Sequence, residues 1–203
     1  MTDVEDAATA KRDARRAARE RRRELVAVRD LAADGEALAR WVVPLVALHA
    51  GGRARVALYE AYGVEPPTSA LVAALGAAGH EVVLPRMLAD RSLEWVTVGG
   101  EELGADGISL ASVVLTPGLA VDRAGVRLGQ GGGSYDRALR RRRRDALVLT
   151  LLHDGEVRPV GTLPAEEHDE PVDGVVTPAA GFLDLRPPPG LTPEQLLRWR
   201  RSR

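Results

Sequence analysis

Gly129, Gly131, Gly132 and Gly133 crowd into the stretch Arg127-Leu128-Gly129-Gln130-Gly131-Gly132-Gly133-Ser134-Tyr135-Asp136-Arg137. Glycines at this density leave a turn without side chains, so backbone N–H groups can converge on an anion while φ stays unrestricted. Ser134 can cap the helix expected over Ser134 to Arg143, which would bring the positive end of a helix dipole beside the glycines. Asp136, in the first turn of that helix, either stabilises the helix start or holds a magnesium ion that bridges phosphate oxygens. A plain glycine hairpin would use the same glycines; the flanking Arg127, Asp136 and Arg137 favour phosphate. The spacing is neither that of a Walker loop, since no Gly-Lys-Ser/Thr follows, nor the Gly-x-Gly-x-x-Gly of a dinucleotide fold.

A second concentration of positive charge lies near the N-terminus. From Glu5 to Val28 the chain is rich in alanine and arginine and free of glycine and proline, which predicts a helix. Lys11, Arg15, Arg19 and Arg22 fall three or four apart and share one face; Ala14, Ala17, Ala18 and Leu25 form a neighbouring one. Such a stripe can be simply solvated. Lys11 is, however, the only lysine in the chain: either it is left by chance in an arginine-rich sequence, or it marks a place where arginine would not serve, since a compact ammonium and a planar guanidinium are not equivalent at a phosphate.

The elements that must position these groups alternate. A helix is expected from Gly35 to His49, kinked or broken at Pro44, then a strand over Arg53 to Tyr59. The loop Glu60 to Pro67 leads to a helix capped by Thr68 or Ser69 and running to Ala78, followed by a strand at His80 to Pro85. This is a βαβ unit, which predicts a parallel sheet with helices on its faces. Further strands are expected at Leu93 to Val98, Ser112 to Thr116, Ala146 to Leu152, Pro159 to Leu163 and Val172 to Thr177. The segment after Arg186 is proline-rich, with a short helix expected from Thr192 to Arg203. The division is therefore one α/β domain over residues 1–185 and a tail over 186–203.

Composition narrows the setting. Aromatics make up 3% of the 203 residues, so the core must be built from alanine, valine and leucine. Cysteine is absent, which removes disulfides and thiolate chemistry and points to a reducing compartment. No apolar run is long enough to span a membrane, and the acidic Met1 to Ala10 is not a signal peptide, so a cytoplasmic protein is expected. The arginine runs could attract nucleic acid, but aromatics for base stacking are few and no reader motif is present, so no nucleic-acid partner is expected.

Taken together, these pieces resemble the 5-formyltetrahydrofolate cyclo-ligases, also called methenyltetrahydrofolate synthetases. The likeness begins at Lys11-Arg12-Asp13-Ala14-Arg15, resumes at Glu65-Pro66-Pro67-Thr68 and Leu84-Pro85-Arg86, and is strongest from Pro117 to Gly129 and on through Tyr135-Asp136-Arg137. It closes with Pro164 to Asp169 and Val172 to Thr177. The resemblance implies a three-layer α/β fold with a mostly parallel central sheet, like that of ribose-phosphate isomerases and CoA transferases. It further implies ATP- and magnesium-dependent closure of 5-formyltetrahydrofolate to 5,10-methenyltetrahydrofolate by a monomer, with no covalent nucleophile. By position, Lys11, Arg15 and the run Arg127, Leu128, Gly129, Gln130, Gly131, Gly132, Gly133, Ser134 and Tyr135 would bind ATP. Glu65 would meet the pterin, with Gln130, Gly132 and Ser134 also facing the folate. Asp136 and Glu167 would hold magnesium, with Glu166 as the alternative to Glu167; His168 is read as structural.

Three departures accompany the resemblance. Ser134 stands where the family usually has an aromatic, and Glu60 where an apolar side chain is more usual. Between Trp95 and Ser112 the chain lacks a longer segment with a Glu-Pro pair, which would leave one wall of the folate pocket unbuilt. The other reading open at this stage is a relative that binds nucleotide but has lost or changed the folate reaction.

Overall fold

Asp30 starts the second helix. In the computed structural model, which describes residues 2–166, 168–187, 190, 192 and 194, its carboxylate accepts the N–H groups of Ala32 and Ala33 at 3.0 and 3.1 Å. The N-terminal helix α1 spans Thr2–Val26 and α2 spans Leu31–Ala50, four residues earlier than its periodicity suggested. Pro44 does not break α2. It and Arg40 both lie on the exposed face, so the carbonyl that loses its donor can turn to water.

The central strands are β1 (Arg55–Ala57), β2 (Glu81–Met87), β3 (Leu93–Thr97), β4 (Glu102–Gly104), β5 (Val113–Pro117), β8 (Leu147–Leu151), β10 (Gly174–Thr177) and β11 (Gly181–Asp184). They form an eight-stranded sheet in the order β11-β10-β8-β5-β1-β2-β3-β4. Pairing is parallel from β10 through β8, β5 and β1 to β2 and antiparallel at both edges. A smaller sheet, β7-β6-β9, is built from Ala120–Asp122 (β6), Arg127–Leu128 (β7) and Val157–Arg158 (β9).

Alternation along the buried strands divides the core. Val56, Val113, Leu115, Leu147, Leu149 and Val176 face α2 and α3 (Ser69–Ala77), while Ala57, Val114, Val148 and Val175 face the opposite layer with Trp95, Ile108 and Leu139. Helix α1 lies over the small sheet, its Ala18 packed with Leu119, Ala120 and Leu128.

Several local expectations are corrected. The helix expected from Ser134 to Arg143 is the six-residue α4 (Ser134–Leu139), because the arginines that follow repel one another at helical spacing. The strand expected at Pro159 to Leu163 is β9 instead, since Pro159 has no N–H to donate. The segment between Trp95 and Ser112 forms β4 and a 3₁₀ turn (Ala105–Leu110) whose Ile108 is buried in the second core. The tail helix expected over Thr192 to Arg203 lies, apart from Thr192 and Glu194, outside the described residues.

A buried ion pair helps join α1 to the body. Arg22, 1% exposed, donates through Nε and Nη2 to the two oxygens of Glu156 at 2.7 and 2.8 Å, and Nη2 also reaches the Gly118 carbonyl. Truncating one partner of such a buried pair commonly costs about 3–5 kcal/mol, because the other charge is left uncompensated. Arg22→Ala is therefore expected to lower the urea midpoint with an unchanged m value. A midpoint equal to that of wild type would show that the pair holds nothing in place.

Candidate functional site

The strand order reverses between β1 and β5, and in parallel sheets the carboxyl ends at such a reversal leave a crevice. A cavity of about 890 Å³ opens there, reached by Tyr59 after β1, Pro85 and Met87 on β2 and Pro117 at the end of β5. The glycine loop and the N-terminal helix close it from the other side. Lys11, Arg15, Glu65, Arg127, Leu128, Gly129, Gln130, Gly131, Gly132, Gly133, Ser134, Tyr135 and Asp136, all candidates from sequence, line this one cavity. Glu167 lies outside the described residues.

Two cations on the face of α1 are spent on the loop. Arg15 Nε donates to the Gly129 carbonyl at 3.1 Å; Arg19 donates to the carbonyl and side-chain oxygens of Gln130 at 2.9 and 3.2 Å. From the other flank, Arg137 donates to the Gly132 carbonyl at 3.2 Å. The N–H groups of residues 129–133 have no backbone acceptor among the described residues. Gly131 (φ 104°) and Gly133 (φ 65°) make the turn possible, at angles that side chains resist. Gly133 also takes the cap position of α4, so Ser134 is the first helical residue and makes no capping bond, contrary to expectation.

Beneath the loop, buried Arg127 donates to Asp136 at 2.8 Å and to the Pro117 carbonyl at 3.2 Å, and its guanidinium lies 5.9 Å from the Tyr135 ring centroid. Tyr135 stands edge-on to Trp95, its buried hydroxyl without a hydrogen-bond partner among the described residues. Burial raises its pKa well above the ordinary phenol value, so it faces the cavity as a neutral group.

Lys11 is 5% exposed and fully engaged: Nζ donates to Glu166 at 2.6 Å and to both oxygens of Asp169 at 2.8 and 2.6 Å. Burial works to raise the Asp169 carboxyl, but the Lys11 ammonium and the Glu166 N–H outweigh it and hold that carboxyl below its ordinary range. Glu166, Asp169 and His168 offer ligand atoms within 4.8 Å of one another; His168 Nε2 lies 3.4 Å from Glu166. Two carboxylates that already hold a cation are hard oxygen donors of the kind magnesium takes, whereas imidazole suits softer ions. Asp169 was not singled out as a ligand from sequence, where the paired glutamates ahead of it drew attention; its signal was its place at the end of the Pro164 to Asp169 motif.

Glu65 sits on a loop stitched down from three sides. Its carboxylate accepts the Tyr62 N–H at 3.1 Å, the Tyr59 hydroxyl donates to the Pro66 carbonyl at 3.1 Å, and His153 Nε2 meets the Val64 carbonyl at 3.1 Å. Thr68 was expected as a possible helix cap; its hydroxyl instead accepts the Ala61 N–H at 3.0 Å and so braces the same loop. Arg91, Met87 and Leu93, on or beside the β2–β3 hairpin, also line the cavity and were missed, because only tertiary pairing brings that hairpin to the glycine loop.

The profile of the 5-formyltetrahydrofolate cyclo-ligase family matches residues 7–178. A 5-formyltetrahydrofolate cyclo-ligase of Mycolicibacterium smegmatis is 36% identical over 173 residues, covering 75% of this chain and 86% of that protein. Among solved structures, an Aquifex aeolicus 5,10-methenyltetrahydrofolate synthetase superposes with a TM-score of 0.66 at 22% identity, over 90% of this chain and 96% of its own. A Mycoplasma pneumoniae 5,10-methenyltetrahydrofolate synthetase gives 0.65 at 18% identity, over 81% and 98%. The fold is thus the three-layer α/β arrangement that the sequence resemblance implied.

Burial of His153, which braces the Glu65 loop, makes the stability of the fold depend on pH. A carbonyl partner makes His153 Nε2 the protonated nitrogen, leaving Nδ1 unbonded 3.8 Å from Asp34. Burial pushes the His153 pKa below its ordinary value, opposed by the Val64 carbonyl and Glu156. The unfolded chain therefore binds the proton more readily: this contribution to stability is full above the ordinary value of about 6.5 and is lost as pH falls from there toward the depressed one. The melting temperature is expected to drop between pH 7 and about 5.5. His153→Gln, which keeps a donor to Val64 without titrating, should flatten that drop; an unchanged slope would assign it to other groups.

Proposed function

The chain belongs to the 5-formyltetrahydrofolate cyclo-ligase family, a family of ligases, and from that premise we propose that it couples ATP cleavage to the closure of 5-formyltetrahydrofolate into 5,10-methenyltetrahydrofolate, with magnesium. The observation that carries this reading is the convergence of glycine-loop amides, the cationic face of α1 and a carboxylate cluster on one cavity large enough for two substrates. A monomer in the cytoplasm is the setting it expects.

Phosphoryl transfer needs positioning and charge neutralisation more than a covalent nucleophile. In the proposed reaction the formyl oxygen attacks the γ-phosphorus of ATP; the new O–P bond forms as the bond to ADP breaks. The neighbouring N10 amine then attacks the activated carbon, and phosphate departs with the carbon–oxygen electron pair and accepts the N10 proton.

The free amides of residues 129–133 would receive phosphate oxygens, with Arg15 behind them supplying positive charge. Lys11 would exchange its carboxylate partners for phosphate oxygens, keeping its charge at the transferring group. Glu166, Asp169 and Asp136 fit a divalent cation by donor chemistry, and magnesium held there would neutralise developing charge on the phosphates. The Glu65 oxygen not bonded to Tyr62 is available to accept paired N–H donors of the pterin. The fixed loop beneath Glu65 would hold the formyl group in line with the γ-phosphate.

Mixing the protein with 5-formyltetrahydrofolate, ATP and magnesium is expected to generate the methenyl chromophore; ATP binding without product would reject the reaction. Lys11→Ala, with its fold checked by circular dichroism, should raise the KM for ATP by about tenfold or more, the worth of a charged hydrogen bond. Unchanged ATP kinetics would remove Lys11 from the site. Asp169→Asn and Asp136→Asn should each raise the magnesium concentration needed for half-maximal turnover, and a variant that behaves as wild type at limiting magnesium eliminates that carboxylate as a ligand.

A further inference from the structure

Arg91 occupies the tip of the β2–β3 hairpin with its backbone in the left-handed region (φ 64°), where a residue bearing a side chain is uncommon. Asp90 fixes this turn by accepting the N–H and hydroxyl of Ser92 at 2.8 and 2.6 Å, and the Arg91 N–H donates to the Leu88 carbonyl at 2.9 Å. Arg137 then fastens the tip to the glycine loop: Nη2 donates to the Arg91 carbonyl at 2.8 Å while Nη1 donates to the Gly132 carbonyl. The result places the Arg91 side chain in the cavity wall, with Cδ and Nη1 3.9 Å from the point where a Cβ on Gly132 would stand.

The cavity's other cations are occupied. Lys11 is held by Glu166 and Asp169, Arg127 by Asp136, Arg15 by the Gly129 carbonyl and Arg12 by the Thr9 hydroxyl. The Arg91 guanidinium has no acceptor among the described residues. It also terminates an apolar surface, for Pro85, Met87 and Leu93 of the same hairpin line the cavity, and Met87 is left 64% exposed. An apolar wall that ends in an unpaired guanidinium suits a ligand with a flat aryl body and a carboxylate at its end. A triphosphate is already served by Lys11, Arg15 and the loop amides.

We propose that Arg91 binds the carboxylates of the glutamate tail of the folate substrate and so selects glutamate-bearing folates over the corresponding pteroate. This rests on the reading of the cavity as a folate site. The planar fork can take a carboxylate in two parallel hydrogen bonds, which lysine cannot.

The test compares 5-formyltetrahydrofolate with 5-formyltetrahydropteroate, which lacks the glutamate, in wild type, Arg91→Met and Arg91→Lys, by calorimetric binding and by turnover. In wild type the glutamate form should bind about tenfold more tightly or better, the worth of a charged hydrogen bond. Arg91→Met should erase that preference through weaker binding of the glutamate form alone, Arg91→Lys should restore part of it, and the KM for ATP should stay unchanged. Equal losses on both folates, or no loss, would overturn the proposal, and a raised KM for ATP would assign Arg91 to phosphate instead. Folate binding without turnover would reject the proposed reaction while the binding comparison still decides the role of Arg91; absence of folate binding in wild type would overturn both.

Discussion

Cations spaced at helical intervals on α1 must each find an acceptor, and the acceptors they find organise the site. Arg15 and Arg19 hold carbonyls of the glycine loop, Lys11 draws in two carboxylates from the loop before β10, and Arg22 locks onto Glu156 in the interior. These bonds fix the loop carbonyls, while the N–H groups of residues 129–133 have no backbone acceptor among the described residues. The helix thus contributes charge and fixes the glycine loop at once. A solvated stripe would have left both the loop and the helix without orientation.

The parallel sheet supplies the rest by its topology. Connections that run to opposite sides of β1 open a crevice at the strand ends, and short segments there carry the groups that face it. The shortened stretch between Trp95 and Ser112 does not close the crevice. It folds into an edge strand and a 3₁₀ turn that pack Ile108 into the core beside Trp95, while the β2–β3 hairpin provides the apolar wall. A hairpin wall brings with it the Arg91 guanidinium, unpaired among the described residues, which is why the shortened segment and the proposed tail recognition belong to one account.

The rigid parts and the chemistry are linked by polar groups that sequence reading assigned elsewhere. Thr68 takes the N-cap position of α3 but spends its hydroxyl on the Glu65 loop, and His153, an ordinary histidine by position, supports that loop from beyond the end of β8. Each is a single hydrogen bond to the backbone of a partly exposed loop, and together they limit the conformations that loop can take. Arg127 works in the same way under the glycines: it aims Asp136 and fills the space below the loop.

Periodicity and residue chemistry were enough to read the α/β alternation, the cationic helical face, the glycine cradle and most of the residues that line the cavity, because those depend on local spacing along the chain. The family resemblance likewise rested on short contiguous motifs. What required the folded chain were the features set by contacts between distant segments: the end of α4 at Leu139, the two-residue strands of the small sheet, the pairing of Lys11 with Glu166 and Asp169, and the arrival of Arg91 over Gly132. A hydrogen bond between residues more than one hundred positions apart leaves no period in the sequence. Its partners become identifiable only when the sheet has fixed which loops meet, and burial then decides which charges must be paired.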